Sequence, residues 1–398
     1  MNHIDRDYLK ETLLEFLQIH SPTGYTDPIV RILCNKLDEL ELNYEITRRG
    51  AVRATILGES HKADRAIVAH LDTLGAMVKE LKPNGRLAVT SVGTWSARFA
   101  EGARVSVFTD DSIFRGTILP LKASGHTFDK GVDSQPSDWD NLEIRVDAPM
   151  ESKKDLIEAG FNIGDFVGVD SGAEVAGNDY INARHLDDKA GVAALLTAAK
   201  AITEAGAVPP VDCHLLFTIT EEVGSGASAI LDGDIAEMVS IDNGTCAPGQ
   251  NSHPTGVTVA MADSTGPFDY HLTHHLLHIC RQNEIPHSRD IFRFYHCDSA
   301  SAVAAGNDIR TGLLAFGLDA SHGYERCHIH SLDALSCAIF HYMLSAPVYA
   351  KQTGLHNTLK DFPKTRMVEV ATRPLDEPWP ILQTHPEDDP DEKKESED

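Results

Sequence analysis

The 398-residue chain lacks any apolar run approaching the ~18–20 residues that cross a bilayer. Its start, Met1-Asn2-His3-Ile4-Asp5, lacks the basic-then-apolar layout of a secretory leader. These absences predict a cytoplasmic protein with no membrane partner. There is no C-x-x-C pair, and the seven cysteines are odd in number and scattered, so neither a disulfide frame nor a zinc ribbon is expected. Positive charge is scarce. Sixty acids against 35 bases give a net charge of -25, which repels a phosphate backbone and argues against nucleic acid as a partner. No complete Walker loop, G-x-G-x-x-G, H-E-x-x-H or G-x-S-x-G occurs, which removes the sequence support for nucleotide binding, a zinc-peptidase helix and a serine nucleophile.

What is present is an ordinary globular composition, 42% hydrophobic and 24% charged. The length exceeds one simple core, so about two domains are expected. Tyr8, Leu9, Leu13, Phe16 and Leu17 recur at helical spacing, and Asp27-Pro28 opens a second helix. Two strand-like stretches between Ala51 and Asp72 follow. The second, Ala66-Ile67-Val68-Ala69, delivers His70 and Asp72 at its carboxyl end. Between about Gly75 and Gly168 short segments such as Leu87-Ala88-Val89, Arg104 to Phe108 and Gly116 to Leu119 alternate with turns, the spacing of a small β-rich insertion. Strand and helix then alternate: helix Lys189 to Ala205, strand Cys213 to Thr218, strand Met238 to Ile241, helix Phe268 to Asn283, a strand around Ile291 to Tyr295, helix Ser299 to Ala305, strand Leu313 to Phe316, and a last helix from Ser331 to Leu344. This predicts an α/β fold with a mostly parallel, helix-covered sheet whose sites lie beyond the carboxyl ends of strands. The expected organisation is one discontinuous catalytic domain, 1–74 and 169–350, interrupted by the insert 75–168. A proline-rich, acidic tail, 374–398, buries too little apolar area to order itself.

Five segments place an acid or a histidine where a strand gives way to a loop: His70-Leu71-Asp72, His185-Leu186-Asp187-Asp188-Lys189-Ala190-Gly191, Thr220-Glu221-Glu222-Val223-Gly224, Ile241-Asp242-Asn243-Gly244 and Ser321-His322-Gly323. One such acid is ordinarily a cap or a solvated turn. Five gathered at one sheet edge would repel one another unless cations neutralised them. Imidazole and carboxylate suit zinc or a similar divalent ion. Two such ions balance Asp187, Glu222, Asp242 and one hydroxide, with two neutral histidines completing the set, so two ions fit better than one.

Together, His70-Leu71-Asp72, Leu186 to Gly191, Thr220 to Gly224 and Cys297-Asp298-Ser299 resemble the two-metal aminopeptidases that form large tetrahedral particles, which include glutamyl and deblocking aminopeptidases. The resemblance spans about residues 5 to 345. It implies a zinc-exopeptidase-like fold with an oligomerisation insert, and assembly into dimers or a dodecamer. It also implies that Asp187 bridges two ions, His70 and Asp242 completing one set and Glu222 with a distal histidine the other. Glu221 becomes the general base and Asp72 the carboxylate that steadies the imidazole of His70. A cis peptide at Asp187-Asp188 is a further expectation. Thr73 stands where members commonly carry Glu. The last ligand, commonly within His-Ser-Pro, corresponds here to His322 or to His330; the count from Asp298 favours His322. The stretch Asp319 to Arg326 resembles a subgroup associated with an N-acetylglutaminylglutamine amide osmolyte, which would add an osmoprotective context.

The implied reaction is cleavage of the N-terminal bond of short peptides by a metal-bound hydroxide, with zinc, cobalt or manganese as the ion. Two alternatives stand beside it: an amidase acting on N-acylated amino acids or a small blocked dipeptide, and a scaffold of the same fold without activity. Other motifs carry blander readings. His271, His274, His275 and His278 share a helix face without an acid partner, Gly224-Ser225-Gly226 reads as a turn, and Ser299 reads as a helix N-cap.

Overall fold

The computed structural model describes residues 4–231 and 235–348. The acidic segment 374–398, residues 349–350 and the chain's first three residues lie outside the described residues. Within them, twelve strands form one sheet and six more close a barrel. No helix of the described residues is long and apolar enough to cross a membrane.

The centre of the sheet is four parallel strands side by side: Cys213–Thr218, Asp64–His70, Ile235–Thr245 and Arg310–Asp319. Every residue of Cys213–Thr218 and Asp64–His70 is buried, as expected of strands covered on both faces. The flanks depart from the expected pattern. Val52–Ile56 pairs antiparallel with Cys213–Thr218, and Val257–Asp263 and Glu325–His328 pair antiparallel with Arg310–Asp319. The sheet is therefore mixed, with parallel pairing dominant only at its centre.

Helix Leu186–Ala205 packs against Arg6–Leu17 and Ile329–Leu344. Its alanines at 190, 193, 194, 198 and 199 are fully buried, small enough to admit neighbours on several sides. It ends at Gly206, whose φ of 58° is the left-handed conformation that glycine adopts without a Cβ penalty. Helix Arg6–Leu17 is capped by Asp5, whose side chain accepts from the Tyr8 amide at 3.0 Å. The expected strand Ile291 to Tyr295 lies earlier, at His287–Ile291, paired in parallel with Val257–Asp263. Phe292 and Tyr295 instead pack in a small apolar cluster with Cys297 and Leu313, which gave this loop a strand-like texture.

The barrel runs Gly75–Leu81, Leu87–Val92, Leu142–Val146, Ile113–Pro120, Arg104–Phe108 and Phe166–Val169, closing on the first. It has its own core, which includes Val78, Val89, Val105, Val107, Ile118 and Ile144. Closure leaves no strand edge to pair with other chains. Gly75 follows His70 by five residues, and Val169 precedes Asp187 by eighteen, so both ends of the barrel open next to residues of chemical interest.

At the opposite end of the central strands Arg65 is fully buried. Its Nε and Nη2 donate to Glu237 Oε1 at 2.9 and 2.7 Å, and its Nη1 donates to the carbonyls of Tyr342, Met343 and Ser345. The guanidinium lies 4.1 Å from the Tyr342 ring centroid, tying the end of the last helix to the sheet. Arg65→Met would leave Glu237 as a buried charge without its partner, a loss of about 3–5 kcal/mol. Urea unfolding should register this loss, and the double variant Arg65→Met/Glu237→Leu should recover part of it.

Candidate metal centre

The site forms where the parallel strands end. Asp64–His70 presents His70 at its last position, Cys213–Thr218 leads into the turn carrying Glu221 and Glu222, and Ile235–Thr245 carries Asp242 and Asn243 in its carboxyl half. Asp187 stands at the start of Leu186–Ala205, where the Asp187-Asp188 peptide is cis. Gly191 permits the turn above it, since a Cβ there would fall 2.1 Å from Asp188 Oδ1. His322 comes from the loop after Arg310–Asp319 with a left-handed φ of 64°.

These side chains converge. Oδ1 of Asp187 lies 3.1 Å from His70 Nε2, and its Oδ2 lies 3.4 Å from His322 Nε2. His322 Nε2 is also 3.7 Å from Glu222 Oε2. Two donor groups result, His70 with Asp187 and Asp242, and Asp187 with Glu222 and His322; within each, the ligand atoms lie within 4.8 Å of one another. Asp187 belongs to both, one oxygen toward each histidine. Glu221 sits beside them, its Oε2 at 3.8 Å from His70 Nε2 and its side chain only 12% exposed.

Electrostatics reflects the crowding. Burial and then the charge of Asp187 push Glu222 and Asp242 up to about 8. Burial likewise raises Glu221 well above the usual carboxylate range. Burial acts on Asp187 in the same direction, but bonds to His322 and His70 outweigh it and hold that carboxyl below its ordinary value. Against the opposing effect of burial, the bond to Asp187 lifts His322 to about 10 and His70 well above the usual imidazole range. A cluster that must otherwise hold protons to balance itself is one whose protons a divalent cation can displace. Its donors are imidazole nitrogen and carboxylate oxygen, the set that zinc, cobalt and manganese accept. Cys297 lies beside this region, but burial pushes its thiol up, away from the ligating thiolate.

Asp72 differs from expectation. Its carboxylate is 3.7 Å from His70 Nδ1, whereas its backbone carbonyl lies 3.0 Å from that nitrogen. The carboxylate instead accepts from the amides of Glu221 and Glu222, at 3.1 and 3.3 Å, and from the Thr23 hydroxyl at 2.7 Å. Turning away from the strand after His70 carries this side chain beneath the 220–222 turn, so it holds the turn. The alternative His330 is exposed at the start of the last helix, its ring 4.6 Å from that of His328, and stands in neither donor group.

Two of the helix histidines bond away from the donor cluster: His274 Nδ1 lies 2.7 Å from the Tyr270 carbonyl, and His275 Nε2 lies 2.8 Å from Ser345 Oγ. Ser299 is not the N-cap, a position taken by Cys297; its hydroxyl pairs with that of Ser240 at 2.8 Å. Gly224 does turn with φ of 79°, and Gly226 makes room for Asp298, whose Oδ1 lies 1.9 Å from where a Cβ would stand.

Three contributors escaped sequence reasoning. Glu325, 2% exposed, accepts from the Leu186 and Asp187 amides at 2.8 and 3.2 Å through Oε2, and from the His322 amide at 2.9 Å through Oε1. It thus joins the backbone of two of the clustered residues. Asn243 Nδ2 donates to Asp187 Oδ2 and Asp242 Oδ1 at 2.8 and 3.0 Å. The carbonyl of Thr94, from the barrel, lies 2.7 Å from His322 Nδ1 and orients that ring. The first two stood in segments already singled out, but nothing in their spacing gave their roles. A backbone carbonyl from an insertion leaves no sequence signal.

A family model described as M42 glutamyl aminopeptidase matches residues 50–337. YhfE of Bacillus subtilis (strain 168), whose name assigns it provisionally to the aminopeptidases, is 34% identical over 339 residues, 85% of this chain and 98% of that one. The lysyl aminopeptidase of Pyrococcus furiosus is 26% identical over 226 residues, 55% of this chain and 59% of the relative. Among solved structures, the aminopeptidase APDkam598 of Desulfurococcus kamchatkensis shares the fold with a TM-score of 0.79 at 21% identity, over 89% of this chain and 99% of that one. The TET1 peptidase of Pyrococcus horikoshii, described as able to assemble into a tetrahedron or a large octahedral shell, does so with a TM-score of 0.76 at 23% identity, over 85% and 100%.

Removing the Glu325 carboxylate strands buried amides at roughly 1–3 kcal/mol each. Glu325→Ala should therefore lower the unfolding free energy by more than about 2 kcal/mol, with Glu325→Gln, which keeps one acceptor oxygen, losing less. Denaturant titration of the three proteins measures the order; an alanine variant as stable as the parent would contradict it.

Proposed function

From the premise that this chain belongs to the M42 glutamyl aminopeptidase family, we propose that it is a two-metal aminopeptidase that removes the N-terminal residue of short peptides. The observation that carries the proposal is the division of Asp187, with Oδ1 toward His70 and Oδ2 toward His322. In this reading His70, Asp187 and Asp242 hold one divalent cation, and Asp187, Glu222 and His322 hold the other. Zinc is the preferred ion, with cobalt or manganese able to substitute. Such ions would supply Lewis acidity, polarising the scissile carbonyl and bringing the pKa of water down from about 15.7 toward neutrality.

The chain's own residues do the rest. Glu221 is the general base: it takes a proton from the attacking water and returns it to the departing amine. Its raised carboxyl and its place beside His70 suit that exchange. Asp72 keeps the Glu221-Glu222 turn in position through two amides. Thr94 and the Asp72 carbonyl fix the two imidazole planes, and Glu325 fixes the backbone from which Asp187 and His322 project.

We assign residues 1–74 and 169–350 to the catalytic domain and 75–168 to an insert that mediates self-association, giving dimers and a dodecamer. The fold shared with particle-forming peptidases supports that assignment. A cytoplasmic address accords with seven free cysteines.

Glu221→Gln should retain two divalent ions per chain by elemental analysis while losing activity by about 10²-fold or more. Near-parental turnover in that variant would remove Glu221 from the role. Chelation should abolish hydrolysis of a free dipeptide, and zinc, cobalt or manganese should restore it. Full activity in metal-free protein would overturn the proposal, and cleavage of N-acetylated but not free dipeptides would assign the site to an amidase.

A further inference from the structure

The donor cluster opens into a cavity of about 820 Å³ whose wall has a distinctive composition. Four carboxylates line it, those of Asp187, Glu221, Glu222 and Asp242, and all belong to the cluster. Away from the donor groups the lining is neutral: the apolar Trp95, Val223 and Phe294 stand among hydroxyl, amide and imidazole groups such as Thr245, Asn243 and His296. No Lys or Arg occurs among the described residues that line it. Arg184 lines a small adjoining pocket of about 10 Å³ that shares Trp95, Asp187, Glu222 and His322 with the cavity, and it donates to the Gly323 carbonyl at 3.4 Å. Arg293 stands outside, its guanidinium 5.2 Å from the centroid of the Phe294 ring.

Phe294 is 90% exposed and Val223 54% exposed. Both side chains line the cavity and are free to meet a ligand that enters it. Tyr295 is otherwise engaged, its hydroxyl donating to the Asn243 carbonyl at 2.6 Å.

Resting on the aminopeptidase reading, we infer that the residue released carries a neutral, apolar side chain, and that Phe294 and Val223 are specificity-determining contacts for it. An acidic side chain entering this cavity would meet no Lys or Arg among the residues that line it, and a basic one would meet carboxylates only at the cluster itself. An apolar one gains by covering Phe294 and Val223. Relatives named as lysyl and glutamyl aminopeptidases indicate that preference varies among similar chains, so a third preference needs no new fold.

The test uses the full, metal-loaded chain with p-nitroanilides of Ala, Leu, Phe, Glu and Lys bearing free amines. The leucyl and phenylalanyl substrates should exceed the glutamyl and lysyl ones in kcat/KM by about tenfold or more. Phe294→Ser should raise KM for the phenylalanyl substrate about three- to tenfold with little change in kcat, the effect shrinking toward alanine. Metal content and particle size should stay constant. A glutamyl preference that Arg293→Gln removes would overturn the inference and leave the aminopeptidase reading intact, as would a lysyl preference or unchanged ratios in Phe294→Ser. Absence of turnover on every free-amine substrate, with both ions bound, would overturn the reading and the inference together.

Discussion

Mutual repulsion among buried carboxylates is the constraint on which this structure turns. Buried Asp187 stands within a few ångströms of Asp242 on one side and of Glu222 on the other, and Glu221 adds a fourth carboxylate at the edge. An ordinary core would not tolerate the arrangement, because each ionised carboxylate raises the cost of ionising the next. The fold assembles it nonetheless. A strand contributes Asp242, a tight turn Glu221 and Glu222, and a helix start Asp187, and parallel strand order sets these elements side by side. On the proposed reading, cation binding turns that electrostatic cost into affinity.

Much of this was legible in the primary structure, and the reasons are local. Apolar runs ending in an acid or a histidine marked His70, Glu222 and Asp242, since a buried strand announces itself by composition and its end by the first polar group. The barrel was legible as a change of texture, from long periods to short segments broken by glycine, aspartate and serine. Resemblance supplied the pairing of Asp187 with two partners, which spacing alone did not give. The parallel order of the sheet was overextended because strand-helix alternation describes its centre and says little about edge strands, which arrive by short connections.

What stayed hidden was the bonding around the principal residues. Asp72 was read as steadying His70 through its carboxylate, but its carbonyl is the nearer group and the carboxylate accepts from the Glu221 and Glu222 amides, because the direction of a side chain after a strand end depends on one turn of backbone. Glu325 lay in a marked stretch, but its three amide donors come from positions 186, 187 and 322, a convergence that exists only after folding. Phe292 and Tyr295 misled for a related reason: apolar residues packed in a loop resemble a strand when only their composition is visible.

The bond from His322 to the Thr94 carbonyl joins the barrel to the chemistry it adjoins. An insertion that served assembly alone could be lost or exchanged in evolution at no expense to the host enzyme. This one lends an oxygen to the orientation of a histidine, so its replacement demands a substitute acceptor at the same spot. A change within the insert that shifts this one carbonyl is therefore felt at the imidazole it steadies, however far from the sheet the change is made.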